Sequence, residues 1–543
     1  MIEPLPMEVT LEKLDGLLQR AAAGTLQAGD YEIIAAMVET IKILKLAVEE
    51  KGDSIRRLLQ MIFGAKTETS KNILSDPETA PAASDNPKDT AAACPKDDPS
   101  PPEEKKKAPG HGRNGVAQYT GAVWIKVTHS TLKTGDHCPE CPTGKLYPVK
   151  DPQRGTVIRI TGVPPIQGRI YDLEELRCNI CGASLSPDLP AGAGPDKYDA
   201  SARSMIALLK YGCGFPFYRL ELLQESLGVP LPSSTQWEQA EAGAAPILPA
   251  YLELTRLAAQ GEIVHNDDTT ARILEMIAEN KTKDDASRTG MFTSGLVSIT
   301  GGIKIALFIT GRHHAGENLS DLLARRAEGL EPPIQMCDAL SRNLPQNIKT
   351  SLANCLFHAR HNFVDVFENF PQACSFVIKI LGQVYHNDSE IKAQNLSPEQ
   401  RLIFHKQETG PLMEELHTWL NQQLEEKLVE PNSGLGKAIK YMLKHWEALT
   451  LFLRVPGAPL DNNICERALK MAILHRKNSL FYKTGHGAYI GDMYMSLIHT
   501  CRLSGVNPFN YLTALQKHAA EVRQNPHLWM PWNYQTTLAA LPP

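Results

Sequence analysis

Apolar residues between positions 30 and 63 recur every seven residues, at Ile34, Ile41, Val48, Ile55 and Ile62, with Met37, Leu44 and Leu58 at the companion positions. This seam, interrupted by Lys51 and Gly52, predicts one long helix that pairs as a coiled coil. An amphipathic helix packed on its own chain is the alternative. Periodicity disappears over 69–115, a stretch rich in Pro, Ala, Asp and Lys with a KKK run at 105–107. Such a composition buries too little apolar surface to order itself and predicts a disordered linker. Short β-like runs follow at 122–127, 156–160 and 170–176, then helical spacing over 201–211, 218–227 and 234–244. The break Gly228-Val229-Pro230-Leu231-Pro232 separates the last two helices. Helix, short turn and helix is the layout of a helix-turn-helix DNA reader, and equally of any small helical bundle.

From residue 261 the pattern shortens. Runs at 262–267, 271–278, 290–299 and 303–309 predict successive strands, 317–327 a helix and 333–337 a further strand. That order predicts a mixed α/β sheet. Residues 346–453 read as mostly helical, with no clear strand after Phe357, and look like an insertion. Helical spacing returns over 461–518, broken at Val506-Asn507-Pro508, and no internal repeat is present.

Composition adds bounds. A chain of 543 residues exceeds one ordinary domain, and 42% hydrophobic with 22% charged residues is the usage of a soluble globular protein. The net charge of −5 does not announce a nucleic-acid binder, so any such surface must be a local patch. Eleven cysteines, four in two CxxC pairs and the rest scattered, fit a reducing compartment and no disulfide framework. The opening MIEPLPMEVTLEKLDG lacks the basic and apolar regions of a secretory signal. No stretch reaches the roughly eighteen uncharged apolar residues of a membrane span, so the expectation is a cytoplasmic, nucleoid-associated protein without a membrane partner.

Two groups of residues carry chemistry. Cys138-Pro139-Glu140-Cys141 and Cys178-Asn179-Ile180-Cys181 form two knuckles whose four thiolates suit a closed, structural tetrahedral Zn²⁺ site. The 36 residues between them require a long loop, and two unrelated pairs or a redox couple are the alternatives. The second group is acidic. Asp267 and Asp268 end one predicted strand, Asp338 ends another, and Glu466 lies just inside a helix start marked by Asp461, Asn462 and Asn463. Between Arg467 and Gly491 stand Arg467, Lys470, Arg476, Lys477 and Lys483, and no acid until Asp492. Each carboxylate alone reads as a cap or turn residue. Converging at one sheet edge, three of them would hold two Mg²⁺ ions against a polyanion.

These segments together resemble transposases of the insertion-sequence-sixty-six family, over nearly the whole chain. DNNICERALKMAILHRKNSLFYKTGHGA at 461–488 is similar to the signature around that family's third acid, NDDTT at 266–270 to the segment of its first, and HAGENLSDLLARRAEGLEPPIQMCDALSRN at 314–343 to that of its second. CLFHARHNF at 355–363, FGAKTE at 63–68, GHGR at 110–113 and GFPFYRLELLQESLGVPLPSSTQ at 214–236 complete the order. The chain departs from many relatives at Ala339-Leu340, where they carry Gly-Tyr, and at His361, where they carry Arg.

The resemblance implies a DDE transposase with a ribonuclease-H-like catalytic domain. Its triad would be Asp267, Asp338 and Glu466, binding Mg²⁺ (or Mn²⁺), with Asp267 chosen over Asp268 because Asp-Asp-Thr here matches an Asp-Glu-Thr pattern whose first acid is the ligand. Arg467, Lys470, Arg476 and Lys477 would hold DNA phosphates, with His475 and Asn478 in the same patch. The implied reaction is hydrolysis at transposon ends followed by transfer of the freed 3′-hydroxyl to target DNA. The implied partners are DNA, a second protomer or higher oligomer, and small companion proteins of the element. A non-catalytic DNA-binding regulator derived from a transposase is the alternative. On this reading the chain is multidomain α+β. It comprises leader helices and coiled coil at 1–68, a linker at 69–115, a zinc ribbon at 116–190 and a helix-turn-helix-like region at 191–250. A catalytic domain at 251–345 and 456–518, split by a helical insertion at 346–455, precedes a tail at 519–543.

Overall fold

The computed structural model describes residues 196–282 and 288–541, together with short stretches before 196, chiefly 131–137, 144–147 and 163–174. The four CxxC cysteines (Cys138, Cys141, Cys178, Cys181), the 69–115 segment and the heptad positions beyond Ile34 lie outside the described residues. Two compact units emerge. One contains Cys355–Leu460; the other contains the described residues from 131 to Asn354 and from Asp461 onward. Among the described residues no helix is long and apolar enough to cross a membrane.

The second unit opens on a two-residue antiparallel ladder, β1 (Leu176–Arg177) with β2 (Ser184–Leu185). Helix α1 (Ala200–Ala207) starts at Asp199, whose side chain accepts from the Ala202 amide at 2.8 Å, and passes into a π turn at Leu208–Gly212. Helix α2 (Phe217–Ser226) and helix α3 (Ser233–Ala258) follow. Helix α3 runs well past the expected 234–244 despite Pro246 and Pro249. Its face of Ala240, Ala244, Ile247, Ala250, Leu254 and Ala258 is buried, and that packing outweighs two missing amide donors. It carries Glu238 and Glu241 and no basic residue before Arg256.

A five-stranded mixed sheet forms the centre. Strand β3 (Ile263–Thr270) leads to α4 (Leu274–Thr282), then β4 (Phe292–Thr300) and β5 (Ile303–Gly311). After α5 (Ala315–Leu323) come β6 (Ile334–Cys337) and β7 (Ser351–Asn354). The order is β5-β4-β3-β6-β7; β4 runs antiparallel to both its neighbours, β3 and β5, and β6 and β7 run parallel to β3 and to each other. Gly301 and Gly302, at φ 53° and 85°, make the two-residue turn of the β4–β5 hairpin, which needs positive φ at both positions. The expected strand at 271–278 is instead mostly α4: Ile273, Met276 and Ile277 have helical spacing and pack with Met291 and Ala488. Strand β7 was not expected, because four residues are too few to display alternation.

In the other unit lie α6 (Leu356–Asp365), α7 (Pro371–Ala393), α8 (Pro398–Phe404), α9 (Gly410–Glu425) and α10 (Gly434–Lys444), with no strand among the described residues. The chain then returns to the sheet unit as α11 (Asn463–Ser479), α12 (Gly485–Leu503), α13 (Pro508–Lys517), α14 (Ala519–Gln524) and α15 (Tyr534–Ala540).

Helix α12 closes the sheet edge at β5. Thr500, Ser496 and Asp492 recur every four residues, and their side chains accept from the amides of Ala306 (3.0 Å), Phe308 (2.9 Å) and Thr310 (2.6 Å). Alternate strand amides and successive helical turns have nearly the same spacing, so one helix face satisfies donors that would otherwise lack a strand partner.

Candidate active site

Strands β3 and β6 pair in parallel as Ile263 with Ile334, Val264 with Gln335 and His265 with Met336. Two residues further along each stand Asp267 and Asp338, so the register sets them side by side, Asp338 just past the end of β6 and Asp267 within β3, which runs on to Thr270 rather than ending at the acid as expected. Alternation sends both toward the same face. On β4 the residue opposite Asp267 is Gly295. A Cβ there would come within 2.9 Å of Leu469 Cγ and 3.5 Å of Cys465 Sγ. The missing side chain lets α11 lie directly on the sheet beside Asp267, and the Cys465 thiol donates to Gly295 O at 3.2 Å. Glu466, in the first turn of α11, is thereby brought to the same edge. A carboxylate also suits that position because helix N-terminal amides favour negative charge.

The start of α11 is pinned to β3 by Asn462. Its Nδ2 donates to Asn266 O at 3.1 Å, and its Oδ1 faces His265 Nδ1 at 3.1 Å. Burial lowers the His265 pKa to about 4 against the smaller opposing pull of Asn462, so the imidazole is neutral.

Electrostatics record the convergence. The Asp267 pKa is raised to about 7, first by burial and then by the carboxylates of Asp338, Asp268 and Glu466, against the Asp268 amide, which donates to Asp267 Oδ1 at 2.8 Å. Asp268 points to the opposite face. Its side chain, 1% exposed, meets His314 Nδ1 at 2.8 Å and Arg342 at 3.3 Å. His314 also packs on Phe292 with ring centres 4.0 Å apart. Asp267 and Asp338 have no basic partner among the described residues. Asp338 accepts instead from the Leu340 amide at 3.3 Å and from Asn343 Nδ2. A cluster of hard oxygen donors, one of them raised in pKa by burial and by the neighbouring carboxylates, fits a divalent cation such as Mg²⁺ or Mn²⁺.

The basic residues of α11 separate into two groups. Arg467, Lys470 and Lys477 are exposed, with Leu474 between them on the same stripe. Arg476 is half-buried and donates to Thr269 Oγ1 at 3.0 Å and to the Thr270 carbonyl and hydroxyl, so it braces the end of β3. His475 is buried between Tyr211 and Tyr482, with ring centres 6.0 and 4.7 Å away. Burial, aided by Lys210, lowers its pKa to about 3, which makes it a neutral packing residue.

His314, Arg342, Asn343 and Asn462 were not singled out by sequence reasoning as parts of a site. All four lie within the segments that match the family's motifs, and Asn462 was read only as a helix-start residue, so nothing local marked their contacts with the acids.

A family model described as "Transposase IS66 family" matches residues 197–490, more than half of the chain. Three proteins of Sinorhizobium fredii (strain NBRC 101917 / NGR234) are similar. The uncharacterized protein y4jD is 35% identical over 190 residues, 34% of this chain and 36% of that one. The uncharacterized protein y4hP is 25% identical over 395 residues, 68% of each chain. The uncharacterized protein y4qI is 26% identical over 343 residues, 61% of each. The aligned regions thus span between about a third and two thirds of these relatives.

Proposed function

This chain belongs to the IS66 transposase family, and from that premise we propose that it is a DDE transposase, with Asp267, Asp338 and Glu466 as the ligands of its catalytic cations. The observation that carries the reading is the convergence of carboxylates at one side of the sheet: the parallel β3–β6 register sets Asp267 beside Asp338, Gly295 lets α11 bring Glu466 close, and neither Asp267 nor Asp338 has a basic partner among the described residues. The sheet order, with three antiparallel strands extended by two parallel ones, supports a ribonuclease-H-like catalytic domain.

Bound Mg²⁺ or Mn²⁺ would supply activation of the attacking oxygen and neutralisation of the leaving one in phosphodiester cleavage and strand transfer. The remaining work falls to side chains. Asp267 and Asp338 offer oxygens from a rigid sheet, and Glu466 offers a third from a helix seated on Gly295. Arg467, Lys470 and Lys477 present an acid-free stripe for DNA phosphates, while Arg476 keeps the β3 end in place. Asp268, ion-paired with Arg342 and hydrogen-bonded to His314, is excluded from the ligand set and instead braces the opposite face. No nucleophilic side chain is needed, because positioning and charge neutralisation supply the catalysis. DNA contacts are assigned to α11 rather than α3, since the first half of α3 is acidic.

Cys138, Cys141, Cys178 and Cys181 are proposed to hold a structural Zn²⁺. The N-terminal heptads are proposed to pair protomers, so that two ends are processed together, with companion proteins of the element as further partners.

The test is incubation of purified protein with DNA bearing the ends of its own element, target DNA and Mg²⁺. Metal-dependent nicked and joined products that vanish in Glu466→Gln are expected. Joined products of equal yield from Glu466→Gln would overturn the assignment; DNA binding without cleavage, companions included, would favour a regulator.

A further inference from the structure

Beneath the acids runs a chain of buried amides to which the reading above gives no task. Asn266, Gln335, Asn343 and Asn462 are all 0% exposed. Asn343 Nδ2 donates to the Asp338 carboxylate. The Asn343 carbonyl accepts from Asn266 Nδ2 at 2.8 Å and from Gln335 Nε2 at 2.8 Å. Gln335 Nε2 also donates to Asn266 Oδ1 at 2.9 Å, and Thr350 Oγ1 donates to Gln335 Oε1 at 2.9 Å. From the other side, Asn462 Nδ2 donates to the Asn266 carbonyl at 3.1 Å, while the Asn462 carbonyl accepts from the Glu466 amide at 3.1 Å.

Each acid therefore has its asparagine. Asn266 immediately precedes Asp267, Asn343 grips Asp338, and Asn462 opens the helical turn that carries Glu466. Asn266 is the hub: its side chain engages the Asp338 loop, and its main chain engages α11. The Asp338–Asn343 bond alone would be a local loop clamp. What exceeds a clamp is that residues of two strands hold the Asn343 main chain. Buried amides are costly to desolvate, and apolar side chains could fill this space more cheaply. A hydrogen-bonded amide network, here complete except for the unpartnered Asn343 Oδ1, instead fixes one geometry.

We propose that Asn266, Asn343 and Asn462 are positioning residues that hold the three carboxylates at the spacing a divalent cation requires, and so set metal affinity rather than DNA affinity. The proposal rests on the metal-dependent reading above. Outer partners of metal ligands typically change affinity by about 10–100-fold when removed.

The test is Mn²⁺ titration of the full chain, with free ion read by electron paramagnetic resonance. Wild type, Asn343→Ala, Asn462→Ser and Asp267→Asn are compared, with DNA affinity and thermal unfolding measured alongside. The expectation is Mn²⁺ binding weakened about tenfold or more in Asn343→Ala and Asn462→Ser, with DNA affinity within about twofold of wild type. Saturating Mn²⁺ should restore strand cleavage to these two and not to Asp267→Asn. A general packing defect would not be rescued in that way. If Asn343→Ala fails to fold, Asn462→Ser, which keeps a small polar side chain at the helix start, carries the comparison. Wild-type Mn²⁺ affinity in the folded asparagine variants, with binding lost in Asp267→Asn, overturns the positioning role alone. Wild-type Mn²⁺ binding by Asp267→Asn overturns the metal site itself.

Discussion

Asp267 and Asp268 are neighbours in sequence but belong to different environments, because a strand sends successive side chains to opposite faces. Asp268 receives His314 and Arg342. Asp267 receives other carboxylates, and its pKa rises to about 7. The sign of the consequence follows. A carboxyl whose folded pKa lies above its unfolded value of 3.8 favours folding most when protonated, and that contribution is lost as pH rises toward and through about 7. Metal-free wild type is therefore expected to lose thermal stability relative to Asp267→Asn between about pH 4 and 8, as read by paired melting curves. Mg²⁺ should raise the wild-type melting temperature strongly at pH 8 and little at pH 5, because protons compete for the same oxygens. A Mg²⁺ effect independent of pH would contradict this assignment. At this scale the sequence was informative about identity and silent about environment. The acids were recognisable by their motifs, and the motif match already chose Asp267 over Asp268, whereas what each of them touches followed only from the fold.

Two elements depend on single small side chains. Gly295 allows α11 to touch the sheet, and a methyl group there would press on Leu469 at 2.9 Å. Gly295→Ala is expected to cost about 1–3 kcal/mol in urea unfolding and to lower metal-dependent cleavage by displacing Glu466. A second change, Leu469→Ala, should recover part of both losses. On the β5 edge, Ser496 meets the Phe308 amide. Ser496→Ala leaves that buried donor unpaired, with an expected loss of about 1–3 kcal/mol. A change below about 0.3 kcal/mol would show that the edge is not held by the helix.

Element boundaries were only partly readable. Strands β3, β4, β5 and β6 were visible as apolar runs. The run at 271–278 was read as a strand although Ile273 and Ile277 already have helical spacing. Strand β7 is four residues, Ser351–Asn354, lying parallel to β6, and a strand that short carries no period. Helix α3 outruns the expected 234–244: Pro246 and Pro249 argue locally against a helix that tertiary packing preserves.

For the whole molecule, function lies in the meeting of distant segments. Asp267 and Asp338 are 71 residues apart and Asp338 and Glu466 a further 128, so no local pattern could join them. Motif order indicated that they belong together; the parallel β3–β6 register and the Gly295 contact supply the physical means. The net charge of −5 conceals the α11 stripe, the proposed path for DNA phosphates, because binding follows local potential. Lys470→Ala and Lys477→Ala are each expected to lower the slope of log affinity against log salt by about 0.9. Unchanged slopes would move the DNA path off α11.

The most direct test compares adjacent residues. Single-turnover cleavage of end DNA in Mg²⁺ would be measured for Asp267→Asn and Asp268→Asn, with matched DNA affinity and folding. The account predicts a loss of roughly a thousandfold or more for Asp267→Asn and about tenfold or less for Asp268→Asn, whose amide can still meet part of its hydrogen-bond network. Equal losses, or retained cleavage by Asp267→Asn, would contradict the claim that Asp267 is the β3 ligand of a metal-dependent phosphodiester-cleaving site.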